Sequence, residues 1–478
     1  MRFFNTAGPV RCEDHYCLPP LERLDLEEVL MLIDQKKYFV LHAPRQTGKT
    51  TCLLALQEYL NKEDKYRALY VNVESAQGAR EDVYRGIRSI MSSLEAGVRF
   101  FWKQEILKDW LEILKQRGED DGLRELLSLL SIRTDKPVVL MIDEIDSLVG
   151  DTLISVLRQL RAGYNLRPES FPQSIILCGV RDVRDYRIHS SKEKEIITGG
   201  SAFNIKAESL HLGDFNKREI KVLYNQHTEE TGQRFEDEVI DYVWELTEGQ
   251  PWLVNALGYV ACFKLKEGRD RNKPITKELI TEAKEKIILE RYTHIDQLAD
   301  KLKEDRVKSV IEAILKGEGI RNIKEDDLQY VIDLGLVKRD REEGPRISNG
   351  IYREIIPREI TYMLQTELES QFKPLWYVNP DGSLDVVKLM RAFQEFFREH
   401  SESWLERFQY KEAGPQLLMQ AFLQRIVNSG GRIEREYGLG RKRTDLLLIW
   451  PIGTSSLLEA KKVQKVVIEL KVLYISDL

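Results

Sequence analysis

Ala43-Pro44-Arg45-Gln46-Thr47-Gly48-Lys49-Thr50-Thr51 sets a glycine, a lysine and two adjacent hydroxyls between an apolar run, Tyr38–His42, and a helical run, Leu53–Leu60. That order suits a triphosphate. Successive backbone N–H groups can wrap a phosphate while the following helix presents its positive end. Gly48 lets the backbone approach without a Cβ, Lys49 reaches the outer phosphates, and the Thr50 hydroxyl is a ligand for Mg²⁺. The first position of such a turn is usually glycine and here is Ala43. One methyl group is tolerable there if φ stays negative. The plain alternative is a strand–turn–helix corner with an incidental Gly-Lys-Thr.

A second group of residues argues against that alternative. Val138–Ile142 is an unbroken apolar run that ends in Asp143-Glu144. Such a run describes a strand buried on both faces. Two carboxylates at its end are costly unless a cation or a water uses them. Asp143 suits Mg²⁺, directly or through water, and Glu144 suits polarisation of an attacking water. The alternative for Glu144 is a helix cap or a salt-bridge acid. The expectation is a lysine-bearing glycine turn facing the acidic pair across neighbouring buried strands.

These residues need a sheet to hold them. Between about 21 and 213 the apolar runs Tyr38–His42, Ala68–Val73, Val138–Ile142, Ser174–Gly179 and Phe203–Leu212 alternate with amphipathic stretches. This is the pattern of a mainly parallel sheet covered by helices. Residues 1–20, with Gly8, Pro9, Pro19 and Pro20, read as an irregular arm. Residues 214–300 read as all helical, with a start at Asp214-Phe215-Asn216-Lys217-Arg218-Glu219 and a break at Gly249-Gln250-Pro251.

Helices at about 305–315 and 324–334, then short strands at Leu336–Arg339 and Arg346–Ile347, suggest a winged helix over 301–365. A further α/β segment spans 385–478. At 478 residues, three or so domains are expected.

The bulk numbers narrow the partners. A formal net charge of −6 argues against global attraction to nucleic acid, though not against a local basic face. No apolar run is long enough to span a membrane and no basic-then-apolar leader is present, so a cytoplasmic protein is expected. Cys52, Cys178 and Cys262 sit in apolar segments and read as buried thiols. Cys12, His15 and Cys17 could suggest a metal, but zinc needs about four ligands and no second pair is in view.

Lys49, Asp143-Glu144 and the strand count resemble AAA+-like ATPases that carry an added glutamate. Gly249-Gln250-Pro251 resembles the Gly-x-Pro signature of the STAND class of signalling ATPases of archaea and bacteria. The resemblance implies ATP and Mg²⁺ as ligands and Pro251 near the nucleotide in a helical lid, with a winged helix after it. It also implies a polar phosphate sensor after the fourth strand. There Gly179-Val180-Arg181-Asp182 offers Arg181 in place of the common asparagine. One of Arg181, Arg184 and Arg187 could touch a γ-phosphate in cis or across subunits. A solvated basic loop is the alternative.

Toward the C-terminus an amphipathic helix at Ala413–Val427 precedes three strand-like runs, Arg432–Tyr437, Thr444–Trp450 and Val466–Lys471. With Asp445 at a strand start and Glu469-x-Lys471 at a strand end, this order resembles a PD-(D/E)XK nuclease core. The resemblance implies Asp445 and Glu469 on Mg²⁺ and Lys471 on water, with Glu412 as a remote helix-borne acid. Arg441-Lys442-Arg443 could contact phosphate. Such folds continue with a crossover helix and another strand, whereas this chain stops seven residues after Lys471. An incomplete nuclease-like domain is therefore expected.

In the winged-helix candidate, Glu325, Asp326, Asp327 and Asp333 face phosphate unfavourably. Lys338, Arg339 and Arg341 supply some positive charge, and an intramolecular or protein-contacting role is favoured over DNA. The fold class expected overall is α/β: a P-loop parallel sheet with a helical lid, a winged helix and a small nuclease-like domain. Three functions remain open: an ATP-driven switch with a C-terminal effector, an ATP-regulated DNA endonuclease, and a nucleotide-binding scaffold without turnover. DNA, a second copy of the chain or another protein are the candidate partners besides ATP.

Overall fold

The computed structural model describes residues 1–182, 187–189, 196–198, 203–290, 292–315, 323–340, 344–357, 359, 377–379, 381–395, 419, 422–423, 432–439, 442–452 and 462–469. The chain divides into two compact units, Met1–Leu289 with Ile332–Gly335, and Glu290–Val331 with Leu336–Leu478.

The first unit is built on a parallel sheet. After α1 (Leu26–Asp34) come β1 (Tyr38–His42), α2 (Lys49–Lys62) and β2 (Arg67–Asn72). Then follow α3 (Val83–Gly97), α4 (Trp110–Ile132), β3 (Val138–Asp143), α5 (Gly150–Ala162) and β4 (Ser174–Gly179). A short antiparallel pair, β5 (Arg187–His189) and β6 (Ile196–Thr198), precedes β7 (Lys206–His211). The sheet order is β2-β3-β4-β1-β7, and every neighbouring pair is parallel.

One expectation is corrected here. The strands that carry the glycine turn and the acidic pair are not neighbours, because β4 lies between β1 and β3. The runs that form β1, β3 and β4 are similarly apolar, and all six residues of β3 and of β4 are buried. Pattern alone therefore cannot order them.

Alternation across the sheet divides the core. Phe39, Leu41, Ala68, Val139, Met141, Ile176 and Cys178 pack with Leu53, Leu56 and Leu60 of α2 and with α1. Val40, Leu69, Val71, Leu140, Ile142, Ile175 and Leu177 face α3, α4 and α5 on the other side. Period-two alternation sends each strand's neighbours to opposite faces, so both faces need helical cover.

Four helices follow the sheet: α6 (Lys217–Thr231), α7 (Asp237–Thr247), α8 (Pro251–Tyr259) and α9 (Lys277–Leu289). A capping box starts α6. The Asn216 side chain accepts from Glu219 N, and Glu219 reaches back to Asn216 N. The start of α8 has Pro251 in its first turn and Gln250 as cap, with Leu253 N donating to Gln250 Oε1. Gly249 has φ +82°, and a Cβ there would collide with the Phe215 carbonyl. Only glycine fits this meeting of two backbones.

The arm proves to be part of the core. Phe4 and Tyr16 are fully buried, and Phe4 rings meet Tyr16, Tyr224 and Phe263. Tyr16 Oη lies 3.1 Å from His227 Nδ1, and the backbone of Cys17 bonds Gln226 in both directions. Cys12 and Cys17 are joined by a disulfide, and His15 Nδ1 accepts from Arg11 N. The other three cysteines are buried free thiols.

In the second unit, α10 (Thr293–Leu302), α11 (Asp305–Leu315) and α12 (Glu325–Asp333, its last two residues counted with the first unit) lead into an antiparallel hairpin. The hairpin strands are β8 (Val337–Asp340) and β9 (Gly344–Ile347). Further on, β10 (Arg432–Leu439), β11 (Lys442–Pro451) and β12 (Val463–Ile468) form an antiparallel sheet in that order. Its core includes Leu384, Leu389, Phe393, Leu446, Leu448 and Trp450. Of the helix expected at Ala413–Val427, only Met419, Phe422 and Leu423 lie among the described residues, and all three are buried.

Candidate functional site

The glycine turn closes directly onto α2. Gly48 is its N-cap residue with φ +96°, and no side chain caps the first turn. The N–H groups of that turn are thus left for an external acceptor, and the helix dipole favours an anion there. Gln46 is the other left-handed position, with φ +59°, whereas Ala43 is not. A glycine is therefore not needed at Ala43.

Lys49 is buried, and its Nζ donates to Ala43 O and Pro44 O at 2.8 and 2.9 Å. Thr47 Oγ1 donates to Pro44 O as well. The loop thus forms a compact ring with its cation inside, as a phosphate cradle requires.

Asp143 ends β3 and is fully buried. Thr50 Oγ1 donates to its Oδ2 at 2.7 Å and Tyr70 Oη donates to the same oxygen at 2.9 Å. Glu144 N donates to Oδ1 at 3.0 Å. The interposed β4 does not separate the two halves of the site, since a carboxylate and a hydroxyl can meet above the strand ends. The Thr50 hydroxyl and Asp143 carboxylate are hard oxygen donors of the kind Mg²⁺ takes, so the residues present fit that ion. Burial, and next the nearby Asp143 carboxylate, raise the Tyr70 hydroxyl, which keeps it a donor.

Glu144 stands in the left-handed region at φ 58°, ψ 40°. Burial raises its carboxyl above the ordinary glutamate range, Asp146 and Asp143 push the same way, and Lys49 and Arg45 oppose them. A strained, half-buried acid beside a phosphate cradle has the features expected of a general base. The helix-cap alternative finds no support, because Glu144 makes no side-chain cap to the short turn that follows it.

Residues that sequence reasoning did not single out complete the site. Arg23 donates through Nη1 to Thr47 O at 2.7 Å and through Nη2 to Gly213 O at 2.8 Å. Its guanidinium lies 4.7 Å from the Phe215 ring centre. A Cβ on Gly48 would come within 2.7 Å of Arg23 Nη1, so the glycine also makes room for this arginine. From the arm, Val10 N donates to Thr51 Oγ1. Beside the turn is a cavity of about 130 Å³, lined by Thr6, Gln46, Gly48, Thr51, Phe215, Pro251 and Trp252 among others. Pro251 and the phosphate turn thus border one space. No spacing rule marks Arg23 or Tyr70, since each meets its partner through the fold.

Arg181 follows β4 and is largely buried, with Nε 3.1 Å from Asp333 Oδ2. It is not the solvated residue that the basic-loop alternative needs. Its neighbour Asp182 pairs with Lys206 at 2.5 Å. Arg184 lies outside the described residues, and Arg187 is described only as backbone in β5.

In the second unit, the register pairs Leu446 with Ile468. Asp445 and Glu469 flank that pair at the same end of adjacent strands, and Glu469 is exposed. Glu412, Arg441 and Lys471 lie outside the described residues, and Lys442 and Arg443 are described only as backbone. At the hairpin, Arg339 pairs with Glu325 and Arg346 with Asp340, while Arg341 lies outside the described residues.

The sheet, turn and acidic strand end define residues 33–186 as an AAA-type P-loop domain, and this segment matches the AAA domain family. No curated protein sequence matches the chain. Among solved structures, the chain is similar to a Walker-type ATPase of Pyrococcus abyssi at 14% identity and a TM-score of 0.49. That likeness covers 73% of this chain and 98% of the other. Cdc6p from Pyrobaculum aerophilum gives 14% identity, coverage of 76% and 98%, and a TM-score of 0.39. The RuvB Holliday junction branch migration motor of Thermotoga maritima gives 14%, 70% and 95%, and 0.36. No helix among the described residues is long and apolar enough to cross a membrane.

Proposed function

We propose that this chain binds ATP with Mg²⁺ and hydrolyses it, acting as an AAA+/STAND-like switch whose nucleotide state is coupled to its helical lid and a C-terminal effector. The observation that carries the reading is the 2.7 Å bond from Thr50 to Asp143, beside an uncapped helix start that holds a buried lysine. Mg²⁺, when bound, neutralises phosphate charge and polarises the reacting group. Thr50 and Asp143 are the residues that would hold it. Arg45–Thr51 supply N–H donors to the phosphates, Pro44 shapes the turn without one, and Lys49 exchanges its loop carbonyls for phosphate oxygens. Glu144 accepts a proton from the attacking water. The shared cavity supports the coupling, since a ligand in it touches the phosphate turn and the start of α8 together. Arg181 could sense the γ-phosphate only by leaving Asp333.

Equilibrium binding of ATP, followed by phosphate release, tests the proposal. Lys49→Ala should weaken ATP binding at least about tenfold, the value of one charge-assisted hydrogen bond. Glu144→Gln should bind ATP and lose turnover. A Lys49→Ala protein with parental binding would end the reading, and turnover unchanged by Glu144→Gln would leave a nucleotide-binding scaffold.

A second reading, a metal-dependent DNA endonuclease under ATP control, is favoured by the adjacent placement of Asp445 and Glu469. Plasmid cleavage in Mg²⁺ that Asp445→Ala abolishes would support it, and no cleavage by the parent would remove it. Among the described residues, the hairpin's Arg339 and Arg346 are paired with acids, which favours a protein partner over DNA for that element.

A further inference from the structure

Three donors hold the buried carboxylate of Asp143. Thr50 Oγ1 at 2.7 Å and Tyr70 Oη at 2.9 Å both donate to Oδ2, and Glu144 N donates to Oδ1 at 3.0 Å. A carboxylate has about four lone-pair sites, two on each oxygen. Oδ2 is therefore full, and Oδ1 keeps one site among the described residues. The buried Cys178 thiol also faces this carboxylate, as a weak donor that yields to a cation. Glu144 N is there because it follows Asp143 in the chain, and Thr50 because it belongs to the phosphate turn. Tyr70 comes from the adjacent strand, where it pairs in register with Met141. Its ring packs on the α1–α2 side of the core and meets Phe101 edge-on at 6.4 Å, so its hydroxyl is held on Oδ2.

We propose that Tyr70 is a positioning residue that makes the site selective for Mg²⁺ over Ca²⁺, by occupying the lone pair of Asp143 that chelation of the larger ion would need. The inference rests on the reading of this site as one for ATP and Mg²⁺, and deepens it. Mg²⁺ is small and octahedral and keeps several waters, so it asks for few protein oxygens. Ca²⁺ takes about six to eight oxygens, often both from one carboxylate. To chelate Ca²⁺, Asp143 would have to free Oδ2 of one donor. Thr50 is not that donor, because its proton needs Oδ2 while its lone pairs serve the ion. Tyr70 is the one left. With its hydroxyl in place, Asp143 aims Thr50 and offers a cation no more than one oxygen. Selectivity comes from what the carboxylate is prevented from doing.

The test compares the Mg²⁺ and Ca²⁺ complexes of β,γ-imido ATP, which binds without being split, using calorimetry on the full chain and on Tyr70→Phe. The variant removes one oxygen and keeps the ring. The parent should bind the Mg²⁺ complex roughly tenfold more tightly, or better, since a hydrogen bond to a charged group must be given up for Ca²⁺ to be chelated. In Tyr70→Phe the preference should narrow by roughly three- to tenfold through tighter binding of the Ca²⁺ complex, while the Mg²⁺ complex changes by less than about threefold. Equal parental affinity for the two complexes overturns the inference and leaves nucleotide binding standing, and this arm needs no variant. An unchanged preference in Tyr70→Phe, or equal weakening of both complexes, overturns it too, since Tyr70 would then only fill space. If the parent binds neither complex, the ATP reading falls and takes this one with it.

Discussion

Glu144 offers a test in which stability and activity should move in opposite directions. A non-glycine residue in the left-handed region costs roughly 1–2 kcal/mol, while a glycine placed there forfeits roughly 0.5–1 kcal/mol of chain entropy. Glu144→Gly should therefore stabilise the first unit by about 0.5–1 kcal/mol relative to Glu144→Gln, which keeps the strained φ of 58°. For a unit of this size that difference raises the melting midpoint by about 1–3 °C.

The charge can be read separately. The folded-state pKa of Glu144 is raised, so the folded protein penalises the ionised form. That penalty is absent below the unfolded-state pKa, builds as pH rises between the unfolded and the raised folded pKa, and is complete above it. Glu144→Gln should then melt above the parent near neutral pH and converge with it in acid. Thermal melts of parent, Gln and Gly proteins across that range, with phosphate release measured in parallel, separate the two effects. The reasoning fails if the Gly protein melts below the Gln protein, and the catalytic role fails if the Gly protein turns over ATP like the parent.

The remaining predictions concern the walls of the site. Gly249→Ala drives a Cβ into the Phe215 carbonyl at positive φ, and should cost more than about 3 kcal/mol, seen as lost nucleotide binding and early melting. Asn216→Ala removes the capping box of α6 and should cost about 1 kcal/mol by denaturant titration, with ATP affinity little changed. Phe4→Ala opens the fully buried aromatic cluster around Tyr16 and Tyr224 and should cost about 3–5 kcal/mol, whereas a loose arm would tolerate the change. Turnover should fall with acidification at a pH above the ordinary glutamate range, because Glu144 must be ionised to accept a proton, and Glu144→Gln should leave no activity to titrate.

Legibility in the sequence followed the range of the interaction. Ser174–Gly179 was readable to the residue because a fully buried strand is an unbroken apolar run. The start of α6 was readable because Asn216 and Glu219 cap one another three residues apart. Gly249 could be marked as a break, but its reason, the approach of Phe215, depends on a residue 34 positions earlier. The strand order could not be read at all. β1, β3 and β4 are equally apolar, so nothing local says that β4 separates the lysine from its aspartate.

That the arm is packed was not legible, for a related reason. Gly8, Pro9, Pro19 and Pro20 do report irregular backbone, but irregular backbone can still be fixed by side chains. Phe4 and Tyr16 are held by rings from α6 more than 200 residues away. This placement bears on how the proposed switch would work. A ligand shifts an equilibrium only by its differential affinity for the two states. The cavity beside Gly48 takes its walls from the arm, the phosphate turn and the start of α8, so a nucleotide there would lose contacts whenever the lid helices moved. Arg23 would lose the bond to Gly213 O while keeping Thr47 O, or the reverse. An Arg23→Lys protein can hold one carbonyl but not both with the same fork, so it should retain phosphate contacts and lose the lid's response. That response would be read as the difference in protease protection of α6–α9 with and without ATP. Protection equal to the parent's would show that Arg23 does not link the two.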